Sequence, residues 1–152
     1  MNNFSVPEKL LNEITAQASR EYPHECCGMI LGPADAPDSL TRLRPCRNAQ
    51  DQFHNMDPVR FPRTARTAYF IDPNEHLAIE KELRTQNEAI RVIYHSHTDF
   101  DAYFSEEDHR MALAEGEPIY PGVGYLVTSV RKGKVDHHKL FFWNPEKGRY
   151  TA

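Results

Sequence analysis

The sequence predicts an α/β domain in which a mixed β-sheet is flanked by helices. Three observations predict it. Helix-like and strand-like segments alternate through the early part of the chain. Late in the chain two strand-like segments, Val123 to Val130 and Val135 to Trp143, follow each other across a turn at Lys132-Gly133. Alternation followed by direct strand pairing is the pattern of a mixed sheet with helices packed on it. The length, 152 residues, suits one ordinary domain with one core, so residues 1–152 are read as a single domain. Repeats and low-complexity segments are absent from the sequence.

The elements follow in order. Val6 to Ser19 reads as a helix, because Leu10, Leu11, Ile14 and Ala18 recur at helical spacing and Pro7 suits a first turn. Tyr22-Pro23-His24 breaks it. Cys26 to Leu31 is a short apolar run closed by Gly32-Pro33, which reads as a strand. Ala34 to Ser39 is a turn region, and Leu40 to Cys46 a second strand. Arg47 to Arg66 is polar and carries Pro58 and Pro62, so a long loop with one turn of helix is expected. Thr67 to Ile71 reads as a strand. Asp72-Pro73 opens a helix through Leu77, Ile79 and Leu83. Ala89 to Tyr94 is a buried-type strand. Ser105 starts a helix that passes Met111 and Leu113 and ends at Gly116, with a loop over Glu117 to Pro121.

Composition narrows the function classes. Hydrophobic residues are 39% and charged residues 26%, with net charge -4, as in a globular protein and unlike a disordered one. Basic residues form no stripe, so a nucleic-acid surface is not expected. No apolar run approaches the roughly 18 residues of a membrane span. Met1 to Glu13 lacks the features of a secretory signal, and the chain reads as cytoplasmic. Cys26, Cys27 and Cys46 are odd in number and two are adjacent, which favours reduced, partly buried thiols.

The chemistry concentrates between His95 and Asp108. Residues i and i+2 of a strand share a face, so His95 and His97 present two imidazoles together. Asp108 falls in the first turn of the following helix, where a carboxylate is favoured. Two histidine nitrogens and one carboxylate leave a fourth tetrahedral position for water, as catalytic zinc sites do. Ser105-x-x-Asp108 also fits a helix cap with an acidic third residue. A cap suits Asp108 as a ligand, whereas it competes with a substrate-facing role for the Ser105 hydroxyl. Glu25, at the mouth of the Cys26 strand, fits a solvated strand-end carboxylate as well as a catalytic group.

The spacing His95-x-His97, then Ser105 and Asp108, resembles the JAMM motif of MPN+ metalloproteases. In that family a Glu precedes a small-apolar strand much like Glu25-Cys26-Cys27-Gly28-Met29-Ile30-Leu31-Gly32. The resemblance runs from Val6 to about Phe142 and includes the order of elements. It implies a cytidine-deaminase-like α/β fold, one Zn2+ per chain held by His95, His97 and Asp108, Glu25 as general base and acid, and Ser105 as an oxyanion donor. The chain is similar to the short, single-domain prokaryotic members, which cleave after the Gly-Gly tail of ubiquitin-like or sulfur-carrier proteins. Such a tail would thread to the metal in extended form, with Arg47 to Arg66 as the candidate wall. Many such members have Pro after the second His; this chain has Thr98, followed by an aromatic and acidic segment to Phe104. Oligomeric state is not legible.

Rival readings are weaker on the residues. His95-x-His97-x-Asp99 opens like a metallo-β-lactamase motif, but Phe100 stands where His is required. A zinc nucleoside deaminase needs a Pro-Cys-x-x-Cys ligand pair, which is missing. A non-catalytic MPN scaffold, acting as an interaction domain, is the principal alternative; it is separated by zinc content.

Overall fold

The computed structural model describes residues 4–152. Four helices and eight strands run in the order α1 (Glu8–Glu21), β1 (Cys27–Pro33), β2 (Arg42–Cys46), α2 (Gln50–Met56), α3 (Pro73–Gln86), β3 (Glu88–Thr98), α4 (Glu106–Ala112), β4 (Leu113–Ala114), β5 (Glu117–Pro118), β6 (Gly124–Arg131), β7 (Lys134–Asn144) and β8 (Arg149–Thr151). Six strands form one sheet in the order β2-β1-β3-β6-β7-β8, and β4 pairs with β5 separately. β3 and β6 run parallel, and the other pairs in the large sheet are antiparallel. The mixed sheet flanked by helices is therefore the fold that alternation and late pairing predict.

The sheet buries both faces because its central strands are apolar almost throughout. One face meets α1: Leu10, Ile14 and Ala18 pack with Cys26, Ile30, Val92, Tyr94 and Leu126. The other carries Cys27, Met29, Leu31, Ile93, Tyr125 and Val127 against Ile79 of α3 and Ala112 of α4. The alternation along β3 thus sends Val92 and Tyr94 toward α1 and Ile93 toward α3 and α4. Gln17 from α1 stitches the first face, donating to the Cys27 carbonyl at 3.1 Å and accepting from the Tyr94 hydroxyl at 2.5 Å. Gly28 is required here, since a Cβ at that position would lie 2.3 Å from the Tyr94 hydroxyl.

Four expectations change. Thr67 to Ile71 is not a strand; its one ladder contact is an isolated bridge between Asn48 and Ile71. The Asn48 side chain takes the place of a partner strand, donating to Ala68 O at 3.1 Å and accepting from Phe70 N at 3.0 Å. The Arg47 to Arg66 segment holds the seven-residue α2, more than the single turn expected. α4 stops at Ala112 rather than Gly116. There Glu115 and Gly116 adopt φ of 52° and 80°, the geometry of a two-residue hairpin turn between β4 and β5. Glu117–Pro118, the start of the expected Glu117 to Pro121 loop, instead forms β5, and β8, which the sequence reading did not contain, pairs with the end of β7.

Candidate metal and catalytic site

β3 continues four residues past the strand end expected at Tyr94, so His95 and His97 lie within the sheet on the same side as Ile93. Their neighbours are β1 and β6: His95 is opposite Cys27 and Val127, and His97 is opposite Ser129. Ser96, between them, faces away and accepts a hydrogen bond from Cys26 N at 2.8 Å. That bond fixes the start of β1 beside the histidines, and with it Glu25.

Asp108 reaches the histidines from α4. His95 Nε2 lies 3.1 Å from Asp108 Oδ1, and His97 Nε2 lies 3.2 Å from Asp108 Oδ2. The two Nε2 atoms are 3.3 Å apart. One ligand atom from each of the three residues falls within 4.8 Å of the others, and all three residues are buried. The carboxylate is aimed by a complete capping box: Ser105 Oγ accepts from Asp108 N at 3.0 Å, and Asp108 Oδ2 accepts from Ser105 N at 2.9 Å.

This donor set fits a divalent metal. The Asp101 carbonyl, 2.9 Å from His97 Nδ1, can only accept, so Nδ1 carries a proton and Nε2 faces the cluster. Burial lowers the pKa of His95 and outweighs the pull of Asp108, so the imidazole is held neutral. Burial opposes ionisation of Asp108, but the adjacent His95 and His97 outweigh it and hold the carboxyl far below its usual range. Neutral imidazole and carboxylate are the forms that ligate metal. His95 Nδ1 is also buried without a hydrogen-bond partner among the described residues. The ring is held instead by stacking on Tyr69, with centroids 4.4 Å apart.

A cavity of about 110 Å³ opens beside His97 and is lined also by Glu25, Arg63, Thr67, Phe100, Tyr103 and Ser105. Glu25 is 5% exposed, which argues against a solvated strand-end carboxylate. Burial pushes its carboxyl well above the usual range, the charge of Asp108 adds to this, and Arg63 opposes it. Its backbone is fixed at both ends: Glu25 N donates to Ala65 O at 2.7 Å, and Glu25 O accepts from Asn48 Nδ2 at 2.9 Å. The Ser105 hydroxyl uses a lone pair for the cap and keeps its proton free to donate, so capping and substrate contact are compatible.

Thr98, the residue after His97, is buried. Its Oγ1 donates to Arg66 O at 2.7 Å and ties the segment before α3 to the histidine strand. The aromatic and acidic stretch beyond it is pinned as well. Tyr22 donates to Asp99 Oδ2 at 2.7 Å, Ser129 Oγ donates to Phe100 O at 2.5 Å, and Arg131 pairs with Asp101. His97 packs edge-on against Tyr103, with centroids 5.0 Å apart. Phe100 and Tyr103 belong to the aromatic and acidic segment that the sequence marks, whereas nothing in the spacing of Arg63 and Thr67 singles them out. Of the segment expected to form the wall, Arg63 is the residue that lines this cavity.

Comparison with known proteins agrees with the geometry. The family model described as prokaryotic homologs of the JAB domain matches residues 7–144. A curated relative from Mycobacterium tuberculosis, named CysO-cysteine peptidase, is 33% identical over 122 residues, covering 80% of this chain and 70% of the relative. A Haloferax volcanii protein named desampylase is 26% identical over 122 residues, covering 80% and 74%. The solution structure of a Desulfitobacterium hafniense protein matches with a TM-score of 0.64 at 25% identity, covering 91% of this chain and 83% of that one. A second solution structure, from Salinibacter ruber, shares the fold with a TM-score of 0.64 at 22% identity, covering 98% and 86%.

Proposed function

The chain belongs to the prokaryotic JAB-domain family, and from that premise we propose that it is a zinc-dependent metallopeptidase that hydrolyses the amide bond after the C-terminal Gly-Gly of a ubiquitin-like or sulfur-carrier protein. The observation that carries this reading is the convergence of His95, His97 and Asp108 within 4.8 Å, next to a cavity that Glu25 and Ser105 line. The names of the two relatives, a CysO-cysteine peptidase and a desampylase, support the substrate class.

His95, His97 and Asp108 would hold one zinc, which when bound supplies Lewis acidity and a more acidic water. Glu25 takes the proton of the attacking water and returns it to the leaving amine. Its burial suits both steps, because a raised pKa brings the carboxyl closer to the working pH. Ser105 Oγ–H donates to the carbonyl oxygen as negative charge develops there. Asp101 O, through His97 Nδ1, and Ser105 N, through Asp108 Oδ2, hold two ligands in place. A Gly-Gly tail suits so narrow an approach, since glycine needs no room for side chains.

The test is metal analysis of the purified chain together with an assay on Gly-Gly-tailed carrier fusions. Stoichiometric zinc and scission after the second glycine are expected. A metal-free, inactive protein would instead support the non-catalytic scaffold.

A further inference from the structure

Arg63 is the cation of the cavity beside His97. It shares that cavity with Glu25 and Ser105 and also lines the neighbouring one, of about 200 Å³. Its backbone is fastened there, because Gln50 Nε2 donates to Arg63 O at 2.9 Å. Two residues on, Ala65 N donates to Asp51 Oδ1 at 2.7 Å, and Ala65 O receives the Glu25 N–H at 2.7 Å. The segment carrying Arg63 is thus bonded directly to the residue that handles the proton.

Arg63 is an exposed residue. It donates to Thr67 O at 3.3 Å and makes no ion pair among the described residues. The other arginines of the neighbouring cavity differ: Arg110 is paired with Glu107, and Arg60 lies over the Phe61 ring at 5.7 Å from its centroid. An arginine left unpaired in a site that already holds Glu25 and Asp108 is available to an anion brought by substrate.

The chemistry of the leaving group says which anion. In hydrolysis the water hydroxyl joins the carbonyl carbon, the C–N bond breaks, and the water proton passes through Glu25 to the departing nitrogen. That nitrogen must therefore sit beside Glu25, whose carboxyl already feels the positive charge of Arg63. If the leaving group is a single amino acid joined through its α-amine, its free carboxylate carbon is two bonds from that nitrogen. If it is a lysine side chain joined through its ε-amine, only methylenes occupy that place. A space of about 110 Å³ corresponds to a few waters, room for one small residue beside His97.

Resting on the peptidase reading above, we infer that Arg63 determines leaving-group specificity by pairing with the free α-carboxylate of a single residue attached to the Gly-Gly tail. The chain then acts by preference as an exopeptidase that releases one terminal amino acid, and splits isopeptides poorly.

The test uses the zinc-loaded full chain and a ubiquitin-like protein whose Gly-Gly tail carries one alanine, as free acid or as carboxamide. A charge-assisted pair predicts a kcat/KM ratio, acid over amide, of about 10-fold to 100-fold. Arg63→Gln should bring that ratio close to unity, and Arg63→Lys should restore part of it. A merely structural role for Arg63 would move both substrates together and leave the ratio intact. Equal cleavage of acid and amide by the wild type, or a ratio preserved in Arg63→Gln, overturns the inference and leaves the peptidase reading standing. Cleavage of neither substrate refutes the peptidase reading, and the inference with it.

Discussion

Ser105 and Asp108 cap each other: Ser105 N donates to Asp108 Oδ2 at 2.9 Å, and Asp108 N donates to Ser105 Oγ at 3.0 Å. The same Oδ2 lies 3.2 Å from His97 Nε2, so the start of α4 and the carboxylate that faces the two histidines are one arrangement of atoms. Ser105→Ala removes the cap acceptor and should cost about 1 kcal/mol of stability. It also removes the oxyanion donor and should lower kcat by roughly 10²-fold or more. Ser105→Asp restores the cap but brings charge beside the developing oxyanion. Thermal melts and kcat measured on both variants separate the roles; a stable and active Ser105→Asp enzyme would eliminate the donor.

His97→Ala removes one of three converging ligand atoms. Elemental analysis should show strong metal loss with the fold retained, because His97 sits at the end of a strand whose core contacts lie before it. Full zinc retention in that variant would refute the ligand assignment.

Glu25→Gln should keep the metal and lose roughly 10²-fold or more in turnover, since the amide keeps the shape and removes the base. It should also stabilise the metal-free protein at neutral pH. The folded pKa of Glu25 is raised, chiefly by burial, so below the usual carboxyl pKa both states are protonated and nothing is lost. Above it the unfolded chain ionises freely while the folded one resists, which destabilises the native state as pH rises. Melting curves of chelator-treated wild type and variant at pH 4 and pH 7 decide the point. The gain should be present at pH 7 and vanish near pH 4; the opposite order would mean that Glu25 is not desolvated.

The three cysteines should be inert in the native state. Cys26, Cys27 and Cys46 are free and buried, and burial pushes the thiols of Cys26 and Cys46 to about 12. An alkylating agent at pH 8 should modify none of them before unfolding and all three afterwards, without reductant. A Cys27–Cys46 bridge found by mass spectrometry would contradict this, although the two face each other across β1 and β2.

Legibility followed chemistry and periodicity. The i, i+2 rule placed His95 and His97 on one face, and the Asp72-Pro73 start of α3 appears with Asp72 Oδ1 accepting from Asn74 N at 2.9 Å. The Ser105-x-x-Asp108 pattern read as a cap and is one. Errors arose where a residue's role depends on a distant partner. Thr67 to Ile71 has strand-like residues, yet Asn48 satisfies its backbone with a side chain. Leu113 extends the helical pattern of α4, but the turn at Glu115-Gly116 folds it into a hairpin. Arg63 gave no local signal; its place beside Glu25 comes from hydrogen bonds made by Gln50 and Ala65.

The alternation along β3 means that two messages are written in interleaved positions of one strand. Val92, Tyr94 and Ser96 serve cohesion with α1 and β1, while Ile93, His95 and His97 point to the side of the candidate metal site. Substitutions at the two sets are therefore separable: one can be tuned for durability and the other for reactivity with little crosstalk. A single-residue deletion before His95 would exchange the sets wholesale, putting imidazoles into the oily layer beneath α1 and Tyr94 into the cluster. The candidate site of this domain is thus a property of reading frame within the sheet as much as of the residues themselves.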